Sequence, residues 1–151
     1  MAQSSNESRS ARLLRACDDA IDRLGAKERA GTDPDTFAEL GEALFWLFAL
    51  AEANGRDSQG LLLGIKWARN RIAHGVVMAA PVRWRYGAEP GRLVLGMGML
   101  GTASGLEWLP RSSVTLGPKD RPDARQEAAY DAIVAGRRVV EVLQEALALA
   151  K

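Results

Sequence analysis

The chain has 151 residues, 47% of them apolar and 26% charged, with a formal net charge of +1. These are the proportions of one soluble globular domain with enough chain for a real core, spanning residues 1–151, and any phosphate binding must come from a local cluster rather than from overall charge. A single cysteine, Cys17, rules out an internal disulfide and a cysteine-rich metal site.

The first residues, Met1 to Ser8, lack the basic start and apolar core of a secretion signal. The longest apolar run, Ala43 to Ala51, is about half of what a membrane span needs. The expected setting is therefore the cytoplasm, with no membrane partner.

From Glu7 to about Lys27, Leu13, Leu14, Cys17, Ala20, Ile21 and Leu24 follow helical spacing, with Gly25 as a stop. Cys17 lies on that stripe with no local base, which reads as packing rather than reactivity. Gly31-Thr32-Asp33-Pro34 then forms a turn, with Asp33 as N-cap and Pro34 in the first helical position. A second helix runs to Asn54-Gly55, and its middle, Ala43 to Leu50, is apolar on nearly every face. Such a helix is buried on more than one side, either by its own chain or by a second subunit.

Asp57-Ser58 caps a third helix, read from Gln59 towards Met78 and stopping before Pro81, with Leu62, Ile65, Ala68, Ile72 and Ala73 as its buried stripe. From Val82 the period changes to two: Val82, Trp84 and Tyr86 point one way, Arg83 and Arg85 the other. Glu89-Pro90-Gly91 is a turn, Leu93 to Met99 a second strand, and Leu106 to Leu109 a short third strand. This predicts a small antiparallel hairpin or three-stranded sheet, about residues 82–109, inserted between helices three and four. After a loop over Arg111–Asp120, Pro122-Asp123 opens a long last helix with Tyr130, Ile133, Val134, Val140, Leu143 and Leu147 inward. Gly136-Arg137-Arg138 interrupts that pattern and predicts a kink. The fold class is mainly α, a four-helix bundle with an inserted β-hairpin.

The informative stretch is Lys66 to Gly75, which holds the only histidine. On an ideal helix Asn70 and His74, and Arg71 and His74, share a side, whereas Arg69 lies about 140° from His74. Arginine and histidine near a helix C-terminus also have an ordinary role, because the helix dipole favours cations there.

The pattern Arg69-Asn70, three residues, then His74 resembles the signature of the HEPN superfamily: an arginine, a polar residue, and a histidine separated from the arginine by four to six residues. Its position late in the third helix fits, and the layout is similar to small actinobacterial HEPN-like proteins with a tryptophan-bearing hairpin before the last helix. The resemblance covers most of the chain as architecture and about six residues as motif. It implies a homodimer with a composite Arg69/Asn70/His74 site acting on RNA. It also implies a setting as a toxin, with an antitoxin or other protein partner, or as part of phage defence. Some members keep the bundle without cleavage, so the fold by itself implies no activity.

The residue types suit metal-independent RNA cleavage. Histidine exchanges protons near neutral pH, arginine binds phosphate oxygens in a fork, and asparagine can orient either. One histidine per chain leaves a two-proton mechanism short of groups, and a dimer supplies the second. Lys66, Arg71, Arg83 and Arg85 are candidate substrate contacts, although the aromatics between the last two read as packing on the helices. Gly96-x-Gly98-x-x-Gly101 matches a dinucleotide fingerprint in letters only, since no helix pattern follows it. No metal and no cofactor is expected from one histidine and dispersed acids. Two readings compete with the ribonuclease. One is a non-catalytic interaction module, in which the bundle and hairpin bind a partner protein and the motif, with a buried, satisfied histidine, only anchors the dimer. The other is a nucleotide-binding relative, which needs a pocket sized for a base.

Overall fold

The computed structural model describes residues 8–30, 38–58, 60–85, 102–115, 121 and 123–151, with the backbone alone for 83–85 and 102–104. It is mainly helical: α1 (Arg9–Arg29), α2 (Ala38–Ala53), α3 (Gly60–Ala73), α4 (Ala124–Ile133) and α5 (Val139–Ala150). Two antiparallel strands, β1 (Ala79–Arg85) and β2 (Thr102–Trp108), lie between α3 and α4, in register from Ala79 opposite Trp108 to Arg85 opposite Thr102. The expected turn at Asp33-Pro34, the strand over Leu93–Met99 and the glycines Gly96 to Gly101 fall outside the described residues. Among those described, no helix is long and apolar enough to cross a membrane.

Ser8 caps α1 by accepting the Ala11 N–H, satisfying one of the donors that a helix start leaves open. The helix buries Cys17, Ala20, Ile21 and Leu24 at the spacing expected, and burial pushes the Cys17 thiol up to about 12, the state of an inert packed group. Gly25 does not stop this helix. It lies within α1 and is buried where the helix meets Val140 of α5, since a Cβ there would sit 3.5 Å from the valine side chain. That is ordinary van der Waals contact, so the position is helix interior and the crossing does not by itself require glycine.

α2 buries Leu40, Ala43, Leu44, Leu47, Phe48, Leu50 and Ala51, and leaves Phe45 55% exposed. Its C-terminus closes through Gly55 at φ +65°, with the Arg56 N–H on the Ala51 carbonyl. Asn54, at that cap, donates to the Ala150 carbonyl at 2.8 Å and so joins the ends of α2 and α5.

The last helix is two helices. The Tyr130 carbonyl accepts from both Val134 and Ala135, the chain turns at Gly136 with φ +72°, and α5 starts afresh at Val139. The backbone groups freed by this break are taken up by the end of β2: Gly136 donates to the Trp108 carbonyl and Trp108 donates to that of Arg137. The kink thus becomes a docking point for the sheet. The short strand read at Leu106–Leu109 is mostly the second half of β2, and β1 begins at Ala79, three residues earlier than the alternating pattern indicates.

α3 and α4 approach most closely at Gly64, where a Cβ would lie 3.0 Å from the backbone of Ala129 and Tyr130. Beside it, Trp67 packs against Tyr130 with ring centroids 4.6 Å apart, and Trp108 meets the same tyrosine edge-on at 6.5 Å. Tyr130 donates its hydroxyl to the Leu109 carbonyl, so one side chain ties α4 to α3 and to the chain leaving β2.

Glu28, 4% exposed at the end of α1, accepts the Leu106 N–H of β2 at 2.9 Å, with Arg138 at 3.8 Å. Burial raises its carboxyl above the usual range, against the opposing pull of the Leu106 N–H and of Arg138.

Gly64→Ala is expected to lower stability. Alanine gains about 1 kcal/mol in helix propensity, but overpacking against rigid backbone costs about 1–3 kcal/mol. A denaturant midpoint at or above wild type would show that α3 and α4 separate cheaply. Glu28 gives a signed pH dependence. A carboxyl whose pKa is raised on folding contributes stability that is present below its unfolded value and lost as pH climbs through the folded value. Glu28→Gln keeps an oxygen for Leu106, and the expected outcome is a flatter fall of thermal midpoint with rising pH. An unchanged slope would assign that fall to other groups.

Candidate functional site

Lys66 to Gly75 covers the last two turns of α3 and its cap. The helix ends at Ala73 and does not continue towards Met78, because Gly75 adopts φ +79°. The Val76 N–H reaches the Arg71 carbonyl and the Gly75 N–H that of Ile72, each at 2.9 Å. Together they form a Schellman closure with His74 as the C-cap. The glycine that follows the histidine therefore pins the histidine backbone, and it does so with a conformation that β-carbon-bearing residues rarely adopt.

The His74 side chain is exposed, and among the described residues its imidazole has no hydrogen-bond partner. Asn70, one turn earlier, is half-buried, and its amide is likewise unengaged among the described residues.

Arg69 goes to a different side of the helix, as the 140° offset predicts. Its guanidinium lies 5.3 Å from the centre of the Phe48 ring on α2, and it makes no ion pair among the described residues. It faces a hollow of about 270 Å³ between α2 and α3, lined also by Gly41, Leu44, Phe45, Ile72 and Ala73. Ala73, expected on the buried stripe, is exposed at the edge of this hollow. Within one chain, Asn70 and His74 are neighbours while Arg69 presents its charge around the helix from them.

The other candidate cations divide sharply. Arg71 is 3% exposed, with its guanidinium 4.1 Å from the Trp67 ring centre. It donates to the carbonyls of Trp67 and Arg121 at 3.4 and 3.5 Å. This places Arg71 in the packing between α3 and the start of α4, rather than on a surface that meets substrate. Lys66 is partly exposed and paired with Asp57 at 2.9 Å; that bond is the main reason the Asp57 carboxyl is lowered. Arg83 and Arg85 lie on β1, Arg85 as its last residue, and their side chains are outside the description. No group of three or more His, Cys, Asp and Glu among the described residues is placed to hold a metal ion.

The hollow beside Arg69 is the feature that sequence reasoning missed. Gly41 and Phe45 are four residues apart and so share a helix face, but the surrounding apolar run conceals which face remains open.

Arg71→Ala is expected to destabilise the protein by about 2 kcal/mol or more, through lost stacking and packing. Arg69→Ala, at a half-buried position, is expected to cost well under about 1 kcal/mol beyond its contact with Phe48. Urea titrations of the two variants read this difference directly, and equal losses would contradict the division of roles. Compared with known protein families, curated proteins and solved structures, the chain matches none.

Proposed function

We propose that this protein is a HEPN-like, metal-independent endoribonuclease that works as a homodimer through Arg69, Asn70 and His74. The observation that carries the reading is His74 itself: an exposed imidazole, unengaged among the described residues, on a backbone pinned by the Gly75 closure. A histidine kept for packing would be buried and hydrogen-bonded. An acid–base histidine needs solvent access and a fixed origin.

In the proposed reaction one imidazole takes the proton of a ribose 2′-hydroxyl. The 2′-oxygen bonds to phosphorus, the P–O5′ bond breaks, and the 5′-oxygen receives a proton from the second histidine or from water. The products are a 2′,3′-cyclic phosphate and a 5′-hydroxyl. Arg69 stabilises the charge that develops on the phosphoryl oxygens, and Asn70 orients phosphate or imidazole. Because Arg69 and the Asn70–His74 pair face different sides of one helix, a second copy completes the set by presenting its own Arg69. Arg83 and Arg85 extend a basic edge along the strand that follows. The cellular setting proposed is a cytoplasmic toxin or phage-defence component with an antitoxin or other protein partner.

A second reading is a non-catalytic interaction module. The exposed Phe45 beside an apolar hollow favours it, since a large aromatic left in water is a common anchor for a partner protein.

The test is cleavage of total and transfer RNA in EDTA by wild type and His74→Ala purified side by side. The expected outcome is cyclic-phosphate ends from wild type and a loss of at least about 100-fold in the variant, with slowed growth on overexpression relieved by the same substitution. Equal activity in both proteins would remove His74 from the reaction. Inactivity of both, in a stable dimer, would favour the interaction module.

A further inference from the structure

We propose that the hollow between α2 and α3 is a base-binding subsite: one unstacked nucleobase of single-stranded RNA lies against Phe45 over Gly41, with Arg69 on the adjoining phosphate. This rests on the reading of the protein as one that acts on RNA.

Three features of the hollow converge on that occupant. Its size, about 270 Å³, falls just below the ~300–1,000 Å³ of clefts that enclose drug-sized ligands, which suits one planar ring system rather than a whole nucleotide. The lining then supplies both surfaces that such a ligand needs. Phe45 is 55% exposed and is braced by Trp46, edge-on at 5.0 Å. An aromatic face held in this way stacks any base, because every base has a π-face. The charge arrangement is also complementary to a nucleotide. Among the described residues the lining has one guanidinium on an otherwise apolar surface and no carboxylate. Glu42, the acid nearest along α2, is engaged with Arg23 at 2.7 Å. Arg69 is free to meet a phosphate, since it makes no ion pair among the described residues.

Gly41 keeps the space open. A Cβ at this position would meet nothing within 4 Å, and neither a close approach nor a positive φ requires glycine there. In mid-helix that glycine forgoes about 1 kcal/mol of helix propensity, a cost that an open binding surface explains. The hollow ends at Ala73, one residue before His74, so a base seated in it places the adjoining backbone at the end of α3 that bears the histidine.

The experiment follows from the free space at Gly41. Gly41→Leu fills the hollow while leaving every Arg69, Asn70 and His74 atom in place, and its thermal midpoint is expected to match or exceed wild type. The probe is a fluorescein-labelled single-stranded decanucleotide of RNA, followed by anisotropy in EDTA, with cleavage of the same strand measured in parallel. Gly41→Leu and Phe45→Ala are each expected to weaken binding about tenfold or more and to raise KM. Leu149→Ala, an exposed apolar residue of α5 outside this hollow, is expected to bind like wild type.

Binding and cleavage by Gly41→Leu equal to wild type would overturn the subsite and leave the ribonuclease reading standing. Loss of binding accompanied by conversion of a wild-type dimer to monomer would also overturn it, by assigning the hollow to a second copy. No binding and no cleavage by the wild-type protein would overturn both the subsite and the RNA reading beneath it.

Discussion

The packing of Trp67 against Tyr130 is the contact on which the rest of this structure depends. It sits beside Gly64, where α3 and α4 approach so closely that a single β-carbon would press on backbone. The tyrosine then reaches the Leu109 carbonyl and meets Trp108, so the same side chain fixes the exit of β2. Aromatic pairs of this geometry contribute about 0.5–1.5 kcal/mol beyond the area they bury. Their larger effect is positional. They hold α3 still against the sheet and α4, and α3 carries Asn70, Arg69 and His74 at its free end.

That same helix sorts its cations by angle. Arg71 turns inward over Trp67 and becomes part of the core, whereas Arg69, two residues earlier, turns towards α2 and lies half-buried over Phe48, lining the hollow. The two side chains are chemically identical, so the difference lies in what each side of α3 meets. A buried guanidinium is tolerated only where its donors find carbonyls and its face finds a ring, and Trp67 and Arg121 provide these. The consequence for function is that the surface charge near the helix end is smaller than the run Lys66–Arg71 suggests. Lys66 is paired with Asp57 as well, which leaves Arg69 as the cation in this segment best placed to meet an anion.

Around Arg69 the surface departs from the apolar packing of the rest of the middle of α2. α2 is apolar on nearly every face, yet its Phe45 stands out in solvent beside a hollow that Gly41 keeps open. An aromatic, a guanidinium and an imidazole near the end of α3 are the groups on which the proposed RNA reading rests. The same region also carries simple structural costs that a merely stable bundle would avoid: apolar area left in water, a weak helix former in mid-helix, and a polar side chain without partners among the described residues.

Much of the fold was legible in the residues. The stripe Cys17-Ala20-Ile21-Leu24, the helix through Leu62, Ile65 and Ala68, the change of period near Pro81 and the break at Gly136 all follow from local periodicity and backbone restriction, which act over a few residues. The candidate residues Arg69, Asn70 and His74 were singled out by a motif resemblance, and helix spacing by itself indicated that Arg69 points away from His74. What local pattern could not decide was the partner of each face. Gly25 reads as a stop but lies inside α1, buried against Val140 of α5. The end of the third helix came earlier than the apolar run implied, because Gly75 could close it through bonds to Arg71 and Ile72. The burial of Arg71, the exposure of Phe45 and the hollow at Gly41 depend on which helix lies opposite, and that is set by contacts between segments far apart in the chain. By itself, then, the sequence determined the elements and the chemical set on α3. Only the tertiary structure decided which of those groups face solvent, because burial is a property of packed pairs of helices and not of any one of them.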